Sequence, residues 1–429
     1  METVLKVTLW GKDVAAVMWD NEKEYAIFEF FNSYAKDGLD IAPLIMPKVD
    51  LIRGERLFSF PTHRNKTFKG LPGLLSDALP DDYGNAVIDE WFALQGMSVT
   101  ATPLDRLCYI GKRGMGALEF EPATNQLNES TKLEIEQLTK LASQVLNDRE
   151  TFATNLKSGD KNYMDSLRIG TSAGGAKPKA IIAYNEHSKE VRSGQVQAPE
   201  GFTYWLLKFD GVQNTKMSDN PLGIGRIEYA YYLMAKDCGI QMTECRLLYE
   251  GEFAHFMTKR FDRTETGEKL HTQTLCAIAH YDRDERYSYE QIFATMRKLY
   301  LPYKQMEQMY RRMVFNVLAR NQDDHTKNHS FIMDKDGKWS LAPAYDICYS
   351  YSPTGKWTNR HQLSINGKRD EFTKADLLEV AKNANVKNAE NIISQIAEVI
   401  SRWESYARMA NVIQTHREQI QQNLRLHIQ

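Results

Sequence analysis

Apolar and polar residues alternate from Val4 to Trp10, and the turn Gly11-Lys12-Asp13 follows. The alternation resumes over Val14 to Trp19 and, past Asp20-Asn21-Glu22, over Tyr25 to Phe30. A period of two buries one side of each strand, so this opening predicts a small antiparallel sheet. Residues 70–84 are dense in turn formers, Asn85 to Leu94 has a helical pattern, and Leu107 to Phe120 (LCYIGKRGMGALEF) reads as a glycine-bent hairpin closing the first domain. Thr131-Lys132-Leu133-Glu134 has capping-box spacing and predicts a helix with Leu133, Leu138, Leu141, Val145 and Leu146 inward. Strands are expected over Ala180 to Tyr184, Phe202 to Phe209 and His255 to Phe261, with a helix at Arg226 to Asp237. From Ser288 the period lengthens to three and four residues through Ile292, Met296, Leu299, Met306, Met309, Met313 and Val317, and a helix ends near Asn321. Helices capped at Thr373 and lined by Ile392, Ile396, Ile400 and Trp403 complete the chain. The pattern divides the chain into three parts: a β-rich N-terminal domain over residues 1–125, an α/β lobe over 126–262 and a helical lobe over 263–429.

One stretch breaks the helical periodicity with chemistry: NQDDHTKNHSFIMDKDGKWSLAPAYDICYS, residues 321–350. Asp323 precedes Asn328 by five positions, the D-x-x-x-x-N spacing of a kinase catalytic loop. In such loops the aspartate orients an attacking hydroxyl and accepts its proton, and the asparagine holds Mg²⁺. Ser330 to Met333, the turn Asp334-Lys335-Asp336-Gly337 and Lys338 to Leu341 read as a β-hairpin. That hairpin returns Asp346 to the loop, where a second metal ligand belongs. His325 and His329 are read as scaffold, because no further histidine sits at zinc spacing and a metal-hydrolase site is therefore disfavoured.

The phosphate half of such a site has candidates upstream. Gly170 to Lys179 (GTSAGGAKPK) leads into a strand, and glycines there let backbone N–H groups approach phosphate oxygens, although the spacing is neither a Walker A motif nor G-x-G-x-x-G. Lys208 ends an apolar strand and calls for an anion. Glu228, on the next helix, has the place of the kinase glutamate that pairs with such a lysine, or equally that of a solvated first-turn acid favoured by the helix dipole. The charged turn after Phe261 is where a hinge between lobes falls, with an aromatic ring available to adenine. The candidate nucleotide-contacting residues are Gly174, Gly175, Ala176, Lys179, Lys208, Glu228, Lys259, Phe261, His325 and Lys327, and the expected cofactors of such a site are ATP and Mg²⁺.

Composition narrows this further. With 429 residues, 42% hydrophobic and 26% charged, the chain has room for several cores. A formal net charge of -2 gives no case for direct nucleic-acid or membrane binding. The five cysteines form no C-x-x-C pair and the N-terminal residues form no signal-like apolar run, so a cytoplasmic, reduced setting is expected.

Seven motifs together resemble the HipA-type toxin kinases of bacterial toxin–antitoxin pairs. They are DALPDDYGN (77–85), IGKRGMGALEF (110–120), TSAGGAKPKA (171–180), LLKF (206–209), KRFDR (259–263), DDHTKNHSF (323–331) and LAPAYDI (341–347). The resemblance spans nearly the whole chain. It implies an α+β, two-lobed protein-kinase-like fold with a small β-rich N-terminal domain, an α/β N-lobe and an all-α C-lobe, and a serine/threonine kinase using ATP and Mg²⁺. It further implies Asp323 as catalytic aspartate, Asn328 and Asp346 as magnesium ligands, Lys208 as phosphate-binding lysine and Ser172 as an autophosphorylated loop serine. Implied partners are a protein substrate, such as an aminoacyl-tRNA synthetase or another translation component, and a DNA-binding antitoxin. Two departures stand out: Lys259 occupies a hinge position where an acid can occur, and Asp324 replaces a common glycine and is expected to point into solvent. A small-molecule kinase with the same Asp/Asn/Asp set, or a catalytically silent regulatory protein, are the competing functions.

Overall fold

The computed structural model describes residues 4–80, 82–94, 96, 101–124, 130–147, 178–212, 222–426 and 428. The glycine-rich stretch up to Lys177, with Ser172, Gly174, Gly175 and Ala176, lies outside the described residues. Two compact units emerge: Met1–Leu222 with Leu248–Gln273 and Met333–Gly337, and Gly223–Leu247 with Thr274–Ile332 and Lys338–Gln429.

The first unit opens on the expected sheet. Strands β1 (Leu5–Leu9), β2 (Lys12–Asp20), β3 (Tyr25–Phe30), β4 (Leu57–Ser59) and β5 (Leu118–Glu121) lie in the order β4-β3-β2-β1-β5. The pairs are antiparallel, with Val7 opposite Ala15 and Phe120. Alternation places Leu5, Val7, Val17 and Phe28 in the core with no exposure.

Only the end of LCYIGKRGMGALEF is a strand. Pro103–Ile110 is a helix, started by a capping box in which Thr102 and Asp105 exchange bonds, with Pro103 at its first position. Leu104, Leu107 and Cys108 recur at helical spacing and are buried, which overrides the glycine-based hairpin expectation. The predicted capping box at Thr131 also resolves differently. Lys132–Leu133 is strand β6, paired with Arg192 and Val191, and the helix begins two residues later at Ile135.

A six-stranded sheet forms the unit's other core. Its strands are β6, β7 (Lys179–Asn185), β8 (Val191–Ser193), β9 (Phe202–Lys208), β10 (Cys245–Glu250) and β11 (Phe253–Lys259), in the order β10-β11-β9-β7-β8-β6. Ile182, Trp205, Leu207 and Met257 are buried together in it. Directly after β11, two of the recognised motifs meet. Asp262 is fully buried and accepts from Arg260 Nε at 2.8 Å, Arg260 Nη2 at 2.7 Å, Arg263 Nη1 at 2.7 Å and the Gly116 N–H at 2.7 Å. Arg263 in turn donates to the carbonyls of Gly114 and Gly116, each at 3.2 Å. Burial pushes the Asp262 carboxyl up, but the two guanidiniums pull harder and hold it well below the usual carboxylate range. KRFDR and IGKRGMG are thus two sides of one buried ion cluster.

The second unit is helical, from Ile224–Asp237 to Gln414–Asn423. Its centre is Tyr303–Leu318, whose Met306, Met309 and Met313 are buried, a core stripe as its spacing predicts. Capping boxes at Ser288 with Gln291 and Thr373 with Asp376 start the flanking helices Tyr289–Lys298 and Lys374–Ala384. Strands β12 (His271–Thr274), β13 (Tyr287–Ser288), β14 (Ser330–Met333), β15 (Trp339–Leu341) and β16 (Leu363–Ser364) are short. β14 and β15 are the expected hairpin, turned by an Asp334-to-Gly337 hydrogen bond of 3.0 Å with Gly337 at φ +81°, and β13 pairs in parallel with β16. Among the described residues no helix is long and apolar enough to cross a membrane.

Asp262→Ala leaves two buried guanidiniums without their shared acceptor. It is expected to destabilise the protein by about 3–5 kcal/mol in urea denaturation, far more than an average surface change.

Candidate active site

The helix Tyr303–Leu318 ends at Ala319, and Arg320, at φ +57°, turns the chain into the Asp323 loop. Asn321 holds the turn, with its N–H on the Asn316 carbonyl at 3.0 Å and its Nδ2 on Asn316 Oδ1 at 2.9 Å. Beyond it the loop closes on itself. Asn328 Nδ2 donates to the Asp323 carbonyl at 2.7 Å, and the Asn328 N–H to the His325 carbonyl at 2.9 Å. The five-residue spacing is thus a physical bridge across the loop. It consumes the nitrogen end of the Asn328 amide and leaves the oxygen end as a donor for a cation.

His325 caps the short 3-10 turn Thr326–Asn328, its Nδ1 accepting the Lys327 N–H at 3.2 Å. Accepting at Nδ1 puts the ring proton on Nε2, 3.8 Å from Asp323 Oδ1. Burial, aided by the nearby Arg283 charge, lowers the His325 pKa to about 3, so the ring is neutral at neutral pH. The Asp323 carboxylate itself stays 41% exposed, open to an incoming group.

Asp346 comes back as the hairpin predicts. Tyr345 Oη donates to the Lys327 carbonyl at 2.6 Å and shares a 2.6 Å bond with Ser330 Oγ. On the other side, the Ala344 N–H bonds the Gln241 carbonyl at 2.8 Å. Asp346 then takes φ +56°, a left-handed backbone that aspartate tolerates better than most residues.

Asp324 does not point into solvent. It is 1% exposed and accepts from Tyr289 Oη at 2.9 Å, His361 Nδ1 at 2.9 Å, the Gln362 N–H at 2.8 Å and the Leu363 N–H at 3.4 Å. Burial raises its carboxyl, but His361, Tyr289 and the Gln362 N–H outweigh that and lower the pKa overall. The residue type gave no sign of this, because its donors lie 35 or more positions away.

In the first unit the register of β7 and β9 sets Lys179 opposite Lys208. Paired residues share a face, so both lysines lie on one side of the sheet. Lys179 is 4% exposed, and Lys208 Nζ lies 5.7 Å from the centre of the Phe256 ring. Glu228 is a buried residue of Ile224–Asp237, not a solvated first-turn acid. Lys259 is engaged by Glu265 at 2.6 Å, and Phe261 is half-buried. The structure therefore gathers Asp323, His325, Lys327, Asn328 and Asp346 in the second unit, and Lys179 and Lys208 in the first.

The same fold occurs in HipA of the Shewanella oneidensis MR-1 HipA, HipB and operator DNA complex, with a TM-score of 0.65 at 16% identity over 97% of this chain and 94% of that one. The HipA N-terminal domain model matches residues 5–121 and the HipA-like C-terminal domain model residues 171–403, so the chain belongs to the HipA-like family. Two relatives carry kinase names. "Putative kinase" of Haemophilus influenzae is 26% identical over 271 residues, 55% of this chain and 73% of that protein. "Putative kinase Y4dM" of Sinorhizobium fredii is 25% identical over 239 residues, 49% of this chain and 56% of that protein.

His325 and His329, with pKa values lowered to about 3 and about 4 by burial, bind protons in the unfolded chain below its ordinary 6.5 but not in the fold. Their stability contribution is present above pH 6.5 and lost as pH falls toward 4. Unfolding near pH 5 is expected to take up about two protons from this pair, seen as a falling denaturation midpoint between pH 7 and 5, and His329→Gln reduces that slope.

Proposed function

We propose that the chain is an ATP- and Mg²⁺-dependent serine/threonine protein kinase of the HipA type, acting in the cytoplasm. The observation that carries this is the closed loop in which Asn328 bridges to Asp323 while the hairpin returns Asp346. Membership of the HipA-like family and the kinase names of its relatives support it.

The donor set fits the cofactors. Asn328 Oδ1 and the Asp346 carboxylate are hard oxygen donors of the kind Mg²⁺ takes. Bound there, Mg²⁺ supplies charge neutralisation on the phosphates. Lys208 and Lys179, paired in register, hold the phosphate oxygens of ATP. Asp323, open to solvent on a loop fixed at both ends, orients the acceptor hydroxyl and takes its proton as the oxygen attacks. Neutral His325, anchored at Nδ1, presents Nε2–H toward Asp323.

The acceptor is a protein hydroxyl, with a translation component such as an aminoacyl-tRNA synthetase the class that the family resemblance favours. Ser172 is the autophosphorylation site in this proposal. A DNA-binding antitoxin partner is supported by the HipB and operator DNA bound to the Shewanella HipA.

Asp323→Asn keeps the loop's shape and removes the base. Phosphate transfer from radiolabelled ATP is expected to fall about 10²–10⁴-fold with the melting temperature unchanged, and transfer at the unsubstituted rate would exclude Asp323 as the base. Mass spectrometry of the chain incubated with ATP and Mg²⁺ is expected to find phosphate on Ser172. Phosphate found only at other residues would remove Ser172 from the mechanism.

A further inference from the structure

Asp324 gathers donors from two separate parts of the second unit, and none belongs to the set that the reaction requires. Tyr289 opens the helix Tyr289–Lys298, and its hydroxyl both donates to Asp324 and accepts Asn316 Nδ2 at 3.0 Å. Asn316 in turn accepts from Asn321, so the network runs from the central helix to the start of the loop. The remaining donors, His361 Nδ1 and the backbone N–H groups of Gln362 and Leu363, come from the irregular segment after Asp346. His361 and Asp324 have fully buried side chains.

The other end of that segment is tied to the same loop. The Ser350 N–H bonds the Arg320 carbonyl at 3.0 Å, and Asn321 and Ser350 form an isolated parallel bridge. The chain from Ser350 to Leu363 is therefore an arc fastened just before Asp323 at one end and just after it at the other. Within the arc Lys356, Trp357 and Arg360 are exposed. Residues 348–369 contain no Asp or Glu.

We infer that Asp324 is a positioning residue that clamps the arc Ser350–Leu363 onto the loop carrying Asp323, and so sets where an acceptor lying on the arc presents its hydroxyl. This rests on the kinase reading for its purpose but not for its geometry. A carboxylate suits the task because each oxygen accepts more than one bond, and here Oδ2 takes Tyr289 and His361 while Oδ1 takes Gln362 and Leu363. Glycine at this position leaves both ends of the network without an acceptor.

The test uses the full chain and Asp324→Asn, in which an N–H₂ replaces Oδ2 and faces two donors. Limited trypsin digestion of the folded protein should cut at Lys356 and Arg360 about tenfold faster in the variant, because the arc opens locally without global unfolding. In phosphate transfer from ATP to the chain itself, kcat should fall about tenfold while KM for ATP stays within about twofold, a split that general destabilisation does not produce. Should Asp324→Asn fail to fold, Tyr289→Phe decides the matter: it removes one donor and should speed cleavage at the same two sites about threefold. Unchanged cleavage in a folded variant overturns the clamp. If the unsubstituted chain transfers no phosphate, the kinase reading fails, and the digestion still decides the clamp.

Discussion

A carboxylate withdrawn from water stays charged only if it is given donors, and each unit is knotted around one that is. Asp262 draws two guanidiniums and a backbone N–H from segments about 150 residues apart, and Asp324 draws a phenol, an imidazole and two backbone N–H groups. Each makes geometry collective: removing the acceptor strands several buried donors at once, so the loops around it stand or fall together. This differs from the methionine-lined helix core, where neighbouring side chains can shift to accommodate a change.

These two knots mark the limit of what the chain shows as a string of letters. Strands, long helices and the β14–β15 hairpin were legible because period and turn chemistry are local, and the closure of Asn328 on Asp323 because their spacing is short. The helix Pro103–Ile110 was missed because three glycines nearby suggested a bend, whereas Thr102, Pro103 and Asp105 together form a start signal that dominates. The first turn after Thr131 was misread for the opposite reason, since a capping-box spacing there yields to sheet pairing with Val191 and Arg192. Asp324 was misplaced because burial is decided by residues far along the chain, and a polar residue in a polar loop carries no local mark of it. The opposition of Lys179 and Lys208 follows from strand register, which one sequence does not specify.

The lysine pair and the Asp323 loop express one rule in opposite senses. In the first unit two cations are held on one face, and in the second Asp323 and Asp346 accompany the same short loop. In the reaction proposed above the cations face phosphate and the carboxylates face Mg²⁺ and the acceptor hydroxyl. His325 adds a neutral ring to the acidic group, kept uncharged by burial, so the loop gains a hydrogen-bond donor without losing its negative character.

The two fastenings of the arc at Ser350 and at Gln362–Leu363 also separate what can vary from what cannot. Because both ends are fixed by backbone bonds near the Asp323 loop, residues between them can be exchanged, inserted or deleted without moving the base. The entropic penalty of length is small, about 0.6 kcal/mol for each doubling of a flexible loop. A lineage of such proteins could acquire new acceptors by rewriting the five exposed positions Pro353, Thr354, Lys356, Trp357 and Arg360 while the chemistry stays untouched, which makes the arc the natural place for selection, or a protein engineer, to redirect the molecule.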